Sequence, residues 1–356
     1  MNPEQQTPRQ PPARNPLAQD GKRILIVLGI LAIFLIIAGI LLFKYWKKTE
    51  PTPRNPPPSG DELQVHVLDV GQGDSILIIA PGGKSVLVDA GVPGSGKVVL
   101  DAMKRYGVDH IDLMVATHAH ADHIGGADEV MLHTKVSAVL DSKVPNTTKN
   151  YEDFLAAIDK TGAKYIGASP GQNFDLGGGA KLSVLAPIQP FFTKDQLRSG
   201  ANEPNANSVV TRLDYGDFSM LLTGDAEAET EARLMQSGAN IKAKVLKVGH
   251  HGSRYASSEK FLRQGGFEAA IISDGADNRY GHPSQDTLDR FKALNIKLYR
   301  TDLEGEVTII SRGQGYEIRT ARPASGDLWA GRTPPGREEN SGDSGDSRPS
   351  RRAAGR

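Results

Sequence analysis

The sequence predicts an α/β domain preceded by a single N-terminal transmembrane helix, and three observations carry that expectation. Ile24 to Phe43 is an unbroken apolar run of 20 residues, which at about 1.5 Å per helical residue matches a bilayer's roughly 30 Å hydrocarbon core. Beyond it, short β-branched runs alternate with stretches of helical length, the pattern of strands and helices packed in layers. Several of those runs end directly in His and Asp, which places chemistry on the loops leaving the strands.

Residues 1–23 are rich in Pro and Gln with almost no bulky apolar side chains, so they read as a disordered polar tail. In the span at 24–43, Tyr45 and Trp46 fit an interfacial anchor, and Lys44, Lys47 and Lys48 fit the head-group level. A cleaved signal peptide is the alternative, but the run is long for one and lacks a small-residue cleavage site. Residues 44–60 contain Pro51, Pro53, Pro56, Pro57 and Pro58, the composition of a semi-rigid spacer. The folded domain is expected over 61–321. Leu63 to Leu68, Asp74 to Ala80 and Ser85 to Asp89 read as strands, with Pro81-Gly82-Gly83 as a turn. Gly96 to Tyr106 reads as a helix and Leu113 to Thr117 as a buried strand. Further strands are expected at Lys181 to Ala186, Ser208 to Leu213, Phe218 to Thr223 and Lys244 to Val248, with a helix at Glu227 to Gln236. Residues 322–356 are dominated by Gly, Ser, Pro, Arg and acidic residues and read as a disordered tail.

Thr117-His118-Ala119-His120-Ala121-Asp122-His123 packs three imidazoles and a carboxylate behind an apolar strand, in a chain with nine His in all. In an extended loop, side chains two apart point the same way, so His118 and His120 can converge on one metal ion, leaving Asp122 and His123 to face a second. Imidazole and carboxylate donors suit zinc, iron or manganese. The absence of cysteine excludes disulfides and thiolate sites. Asp225 follows a strand at Thr223-Gly224-Asp225, where glycine permits a tight turn that aims the carboxylate into a cleft. His250 and His251 follow another strand. One of them should be a ligand; His251 is preferred because Gly252-Ser253 beside it offers an N–H and a hydroxyl to a phosphate oxygen, and His250 stays open. His282, in Tyr280-Gly281-His282-Pro283, is either a further ligand or a substrate contact.

The H-x-H-x-D-H spacing resembles the signature of the metallo-β-lactamase superfamily. Val65-His66-Val67-Leu68-Asp69-Val70-Gly71-Gln72-Gly73-Asp74-Ser75, Leu87-Val88-Asp89-Ala90-Gly91, Leu222-Thr223-Gly224-Asp225-Ala226-Glu227, Leu246-Lys247-Val248-Gly249-His250-His251-Gly252-Ser253, Asn278-Arg279-Tyr280-Gly281-His282-Pro283 and Tyr299-Arg300-Thr301-Asp302 resemble the hydrolase domain of ComEC-type competence proteins. The resemblance runs from about Glu62 to about Thr320. It implies a four-layer αββα sandwich with two divalent metal ions, zinc or manganese, in the cleft between sheets, and DNA as substrate. It also implies a bridging role for Asp225, and an extracytoplasmic domain, which the balanced charges flanking the helix do not decide. Asp122 is the candidate to orient or deprotonate the water that two cations would activate. Ser253, Asn207, Asn278 and Tyr280 are candidates for substrate contact. Asp69, Asp74 and Asp89 read as structural or supporting groups, Asp89 being placed to hydrogen-bond a ligand His. One departure stands out: many superfamily members carry another metal-binding His where this chain has Asn202-Glu203-Pro204-Asn205-Ala206-Asn207. Asn205 or Asn207 would be a weak neutral ligand there, favouring a loosely held metal or manganese.

Charge tests the substrate independently. Residues 61–321 hold 27 Lys and Arg against 34 Asp and Glu, a net of −7, unlike the basic footprint of a duplex-binding protein. Lys242, Lys244, Lys247, Arg254, Arg279 and Arg300 lie near the site motifs in sequence and would form a local basic patch, suited to short or single-stranded DNA. Hydrolysis of another ester, such as a phospholipid head group, small phosphodiester or lactone, is the enzymatic alternative. A tethered accessory protein with a degenerate site is the non-enzymatic one.

Overall fold

The computed structural model describes residues 60–333 together with Leu28 and residues 35–39. Leu28 and 35–39 are helical, with Leu28, Leu35, Ile36 and Ile37 exposed. The rest of the expected span at 24–43, the 1–23 tail, the linker through 59 and the residues after Thr333 lie outside the described residues. Among the described residues no helix is long and apolar enough to cross a membrane.

Strands β1 (Leu63–Val67), β2 (Ile76–Ile79) and β3 (Ser85–Val88) form an antiparallel meander. Helix α1 (Gly96–Tyr106) leads to β4 (His110–Ile111) and β5 (Leu113–Ala116), the latter parallel to β3. Then come α2 (Ala121–Ile124), α3 (Ala127–His133), β6 (Lys135–Val136), β7 (Ala138–Asp141), α4 (Lys149–Thr161) and β8 (Lys164–Gly167). The second half opens with β9 (Asn173–Gly177), β10 (Ala180–Ala186), α5 (Glu203–Ala206), β11 (Val210–Tyr215) and β12 (Phe218–Leu222). It continues through α6 (Ala228–Gln236), β13 (Val245–Lys247), α7 (Glu259–Gly265), β14 (Ala269–Ile272), α8 (Gln285–Ala293) and β15 (Lys297–Arg300). The chain then passes α9 (Thr301–Glu304) and returns as β16 (Val307–Ser311) and β17 (Glu317–Thr320).

One sheet runs β17-β16-β1-β2-β3-β5-β7-β8 and the other β15-β14-β13-β12-β11-β10-β9, with β4 and β6 a separate small pair. Period-two side-chain alternation explains why both faces of the central strands are apolar. In β2, Ile76 and Ile78 enter the core between the sheets, where Val184, Leu213, Met220 and Leu222 meet them from the second sheet. Leu77 and Ile79 point the other way, onto Val99, Met103, Val130 and Phe154 of α1, α3 and α4. A third core places Leu221, Leu246 and Ile272 under Leu234, Phe261 and Phe291 of α6, α7 and α8. The result is the four-layer αββα sandwich. Helix α1 shows the local logic: Val99, Ala102, Met103 and Tyr106 repeat on one buried face, and Gly107 ends the helix in the left-handed conformation.

The expected boundary at Ala321 falls short. Residues 322–333 pack on the second half rather than forming the start of a tail: the buried Arg300 guanidinium donates to the carbonyls of Leu328 (3.1 Å) and Ala330 (2.7 Å), and Arg332 Nη2 reaches Asp302 Oδ2 at 2.6 Å. Leu328 and Trp329 join the third core. Composition concealed this because two apolar residues and two arginines with carboxylate and carbonyl partners suffice to hold a short polar segment.

Candidate metal centre

The site lies where β5, β12 and β13 end at one edge of the sandwich. Past β5, the Thr117 N–H and hydroxyl donate to the two Asp89 carboxylate oxygens at 2.8 and 2.7 Å. Asp89 Oδ2 also accepts from His123 Nδ1 at 2.7 Å, so one buried carboxylate pins both ends of the His-rich loop and fixes the His123 tautomer. The Gly73 turn serves the same loop. A Cβ there would stand 2.1 Å from the Asp122 carbonyl oxygen, which accepts the Asp74 N–H at 3.1 Å.

From the second sheet, Gly224 takes φ 51° and a Cβ on it would lie 2.8 Å from Thr117 Cβ, so the two strand ends touch only because this residue is glycine. The Asp225 N–H donates to Ser208 Oγ at 3.2 Å. After β13, His250 and His251 are both left-handed, with φ 46° and 52°. Such backbone costs a non-glycine residue about 1–3 kcal/mol, and here it turns two consecutive imidazoles into one cleft. His251 Nδ1 donates to the Ser273 carbonyl at 2.8 Å, leaving Nε2 facing inward.

Two donor groups front the cleft: His118, His120 and Asp225 form one, and Asp122, His123 and His251 the other; a third set, Asp74, Asp89 and His123, is fully buried, with Asp74 paired to Lys247 and Asp89 bonded to Thr117. Asp225 stands between them: Oδ2 lies 3.6 Å from His118 Nε2 and 3.7 Å from His250 Nε2, whereas Oδ1 lies 3.2 Å from His123 Nε2 and 3.6 Å from His251 Nε2. His251 Nε2 is also 3.4 Å from Asp122 Oδ2. Donors held by one ion at about 2.0–2.2 Å stand about 3.3–3.6 Å apart in a tetrahedral arrangement, and these separations fit it. Buried His123 Nε2, His251 Nε2 and Asp225 Oδ1 have no hydrogen-bond partner. Orphaned buried polar atoms are costly, and divalent cations are what this set of donors would satisfy.

Electrostatics point the same way. Burial opposes ionisation of Asp225 most strongly, yet His123, His250, His251 and His118 hold its pKa well below the usual carboxylate value. Against burial, Asp225 and Asp89 hold His123 well above an ordinary imidazole, and Asp225 with Asp122 and Asp74 raises His251 to about 9. Burial holds His118 well below. The carboxylates thus demand positive charge, which bound dications would supply while leaving the imidazoles neutral as ligands.

Several sequence expectations change in this geometry. His250 is not an alternative to His251: the two face different oxygens of Asp225. His282 lies outside both donor groups, its ring 5.3 Å from that of His250, and burial lowers its pKa to about 3. The Ser253 N–H is spent on the His250 carbonyl at 2.8 Å and its buried hydroxyl lies 3.4 Å from Glu227 Oε1, so neither is open to a phosphate. Asn207 is a framework residue, its amide bonded to both backbone groups of Phe192 and to the Glu203 carbonyl. Asn278 is likewise committed, accepting three N–H groups of the 280–282 loop and donating to the His282 carbonyl at 2.6 Å. Asn205 is the amide that faces the site, with Nδ2 3.4 Å from His250 Nε2 and a buried, unpartnered Oδ1. Half of the expected basic patch is lost, leaving Lys242, Arg254 and Arg279 exposed. Lys247 and Arg300 are buried, Lys247 in an ion pair with Asp74 at 2.8 Å, and Lys244 pairs with Glu268 at 2.5 Å.

A cleft of about 350 Å³ opens over the centre, lined by Gln72, His120, Asp122, Asn205, His250 and the half-exposed Tyr280 among others. Gln72 and Glu227 escaped notice in the sequence. Glu227 accepts from His250 Nδ1 at 2.8 Å, and its position two residues after Asp225 at a strand end was the available signal.

The family model of the Metallo-beta-lactamase superfamily matches residues 68–273. The chain is 33% identical over 263 residues to ComE operon protein 3 of Bacillus subtilis (strain 168), covering 69% of this chain and 33% of that protein. It is 30% identical over 307 residues to Recombination protein 2 of Haemophilus influenzae, covering 85% of this chain and 34% of that one. With Competence protein ComA of Neisseria gonorrhoeae it shares 30% over 275 residues, covering 76% and 34%. The chain therefore spans about a third of the length of these relatives. Among solved structures, the metallo-beta-lactamase fold protein YhfI of Bacillus subtilis superposes with a TM-score of 0.48 at 13% identity, covering 70% of this chain and 100% of that one.

Proposed function

The chain belongs to the Metallo-beta-lactamase superfamily and is similar to competence-type members of it, and from that premise we propose a membrane-anchored, metal-dependent phosphodiesterase acting on single-stranded or short DNA. The observation that carries it is Asp225, whose two carboxylate oxygens face two separate groups of buried donors. His118, His120 and Asp225 would hold one divalent cation, Asp122, His123 and His251 the other with Asp225 shared. Such a pair supplies an acidified water and charge stabilisation for phosphoryl oxygens in displacement at phosphorus. Asp122, with one oxygen 3.4 Å from His251 Nε2 and partly exposed to the cleft, is placed to orient that water. The competence-related names of the relatives support DNA as the substrate, and the apolar run at 24–43 supports the anchor.

The electrostatic surface narrows the substrate. With Lys247 and Arg300 buried and Lys244 paired, only Lys242, Arg254 and Arg279 of the basic patch expected from sequence remain exposed against a net charge of −7 over 61–321. That disfavours a long duplex, whose binding scales with neutralised phosphates, and favours a strand end or small phosphodiester in the cleft. Full-length protein in detergent, assayed for metal content and for hydrolysis of bis(p-nitrophenyl) phosphate and single-stranded DNA with manganese or zinc, tests the reading. Two cations per chain with metal-dependent cleavage is the expected result; cations bound without cleavage of either substrate would redirect it to another ester.

A further inference from the structure

The first donor group has an unusual source for completion. The 202–207 segment, which stands where a further imidazole would be sought, offers amides: Asn207 is consumed by the backbone around it, and Asn205 reaches His250 rather than the His118–His120 pair. His250, outside that three-residue set, approaches it from a different strand end. Its Nε2 faces the same Asp225 oxygen that His118 Nε2 faces, at 3.7 and 3.6 Å.

What aims that ring is Glu227. Oε1 lies 2.8 Å from His250 Nδ1, and a carboxylate is acceptor-only, so Nδ1 carries the hydrogen and Nε2 presents its lone pair. Glu227 is itself fixed. It is buried, Oε2 accepts from Arg198 Nη2, and Arg198 Cζ lies over the Tyr255 ring, 3.4 Å from its centroid. The resulting order is Tyr255, Arg198, Glu227, His250, Asp225.

We propose that Glu227, anchored by Arg198, is a positioning residue that locks His250 in the Nδ1–H tautomer and so makes His250 the fourth protein donor of the His118, His120 and Asp225 group. The proposal rests on the metal-centre reading above. It assigns the left-handed backbone at His250 and His251 a purpose, since one dipeptide then serves both donor groups. It also gives Arg198, which belongs to none of the motifs, an indirect role in metal affinity.

The test uses the full-length protein in detergent, stripped of metal and titrated with Mn²⁺ or Zn²⁺ by calorimetry, with the nitrogen-15 shifts of His250 as a second readout. Two sites are expected in the wild type. His250→Ala should weaken one of them about 10- to 100-fold and leave the other, the scale expected when a ligand or its supporting group is lost. Glu227→Ala should weaken the same site about 10-fold and turn the wild-type Nδ1–H signature into a mixture of tautomers. Glu227→Gln, whose amide oxygen still accepts from Nδ1–H, should restore the tautomer and most of the affinity. Two sites of unchanged affinity in Glu227→Ala, or an Nε2–H tautomer in the wild type, which needs no variant to fold, would overturn the proposal while leaving the metal centre standing. A wild type that binds no cation would sink the metal centre itself and His250's assignment with it.

Discussion

The two halves of the sandwich build their shares of the site in opposite ways. The first half delivers His118, His120, Asp122 and His123 from one loop, held by one carboxylate, Asp89. The second half delivers Asp225, His250, His251 and Tyr280 from three separate strand ends, each held by its own partner: Ser208, Glu227 and Ser273 for the first three. A compact loop can present many donors at low entropic cost because their spacing is fixed locally. Donors scattered over strand ends require the sheet to be complete before they converge, and in return they can reach both sides of the cluster, as the two oxygens of Asp225 do.

That contrast predicts an asymmetry. Asp225→Ala removes the carboxylate that faces both groups, so metal content should fall below one per chain and hydrolysis of bis(p-nitrophenyl) phosphate by roughly 10³-fold or more, about 4 kcal/mol of barrier. Asp122→Ala should also silence hydrolysis yet retain one cation, because His118, His120 and Asp225 are untouched. Equal metal content in the two variants, read by elemental analysis of folded protein, would show that Asp225 belongs to one group alone.

The halves are also joined beneath the site by a buried ion pair, Lys247 of β13 with Asp74 of the loop after β1, at 2.8 Å. Removing one partner of such a pair strands a charge in low dielectric and costs about 3–5 kcal/mol, while replacing both is often near neutral. Lys247→Met should therefore lose about that much stability in urea denaturation, and Lys247→Met with Asp74→Leu should recover most of it. A single variant as stable as wild type would mean that the halves are held by the apolar core alone.

The same contrast explains what could be read from the chain. The strands at 63–67, 85–88, 113–116 and 218–222 and the helix at 96–106 were legible because their periodicity is local, and the His-rich loop because its spacing is. The pairing of β1 with β16, more than two hundred residues apart, has no local signature. Nor does the burial of Lys247 and Arg300, whose type alone places them on the surface. Ser253, Asn207 and Asn278 sat in the right motifs, but their polar atoms are spent on backbone and side-chain partners inside the protein that sequence cannot show. Glu227 was hidden in the opposite sense, an ordinary acidic residue until His250 is seen against it.

The smallest effect concerns the rim. Tyr280 is 51% exposed, lines the cleft beside His282 and Asn205, and lies nearly parallel to the His282 ring at 6.2 Å with Arg279 5.6 Å from its own centroid. An open aromatic face beside a guanidinium suits an unpaired base, and stacking of that kind contributes about 1–3 kcal/mol per base. Tyr280→Ala should then raise KM for single-stranded DNA about 5- to 50-fold, with kcat little changed and Tyr280→Phe close to wild type. Turnover of bis(p-nitrophenyl) phosphate, which has no base, provides the control, although its own aryl rings could stack; dimethyl or diethyl phosphate esters carry none and sharpen the test. If Tyr280→Ala leaves the DNA KM where it was, the second half contributes metal donors alone, and substrate must be gripped from the side of the His-rich loop.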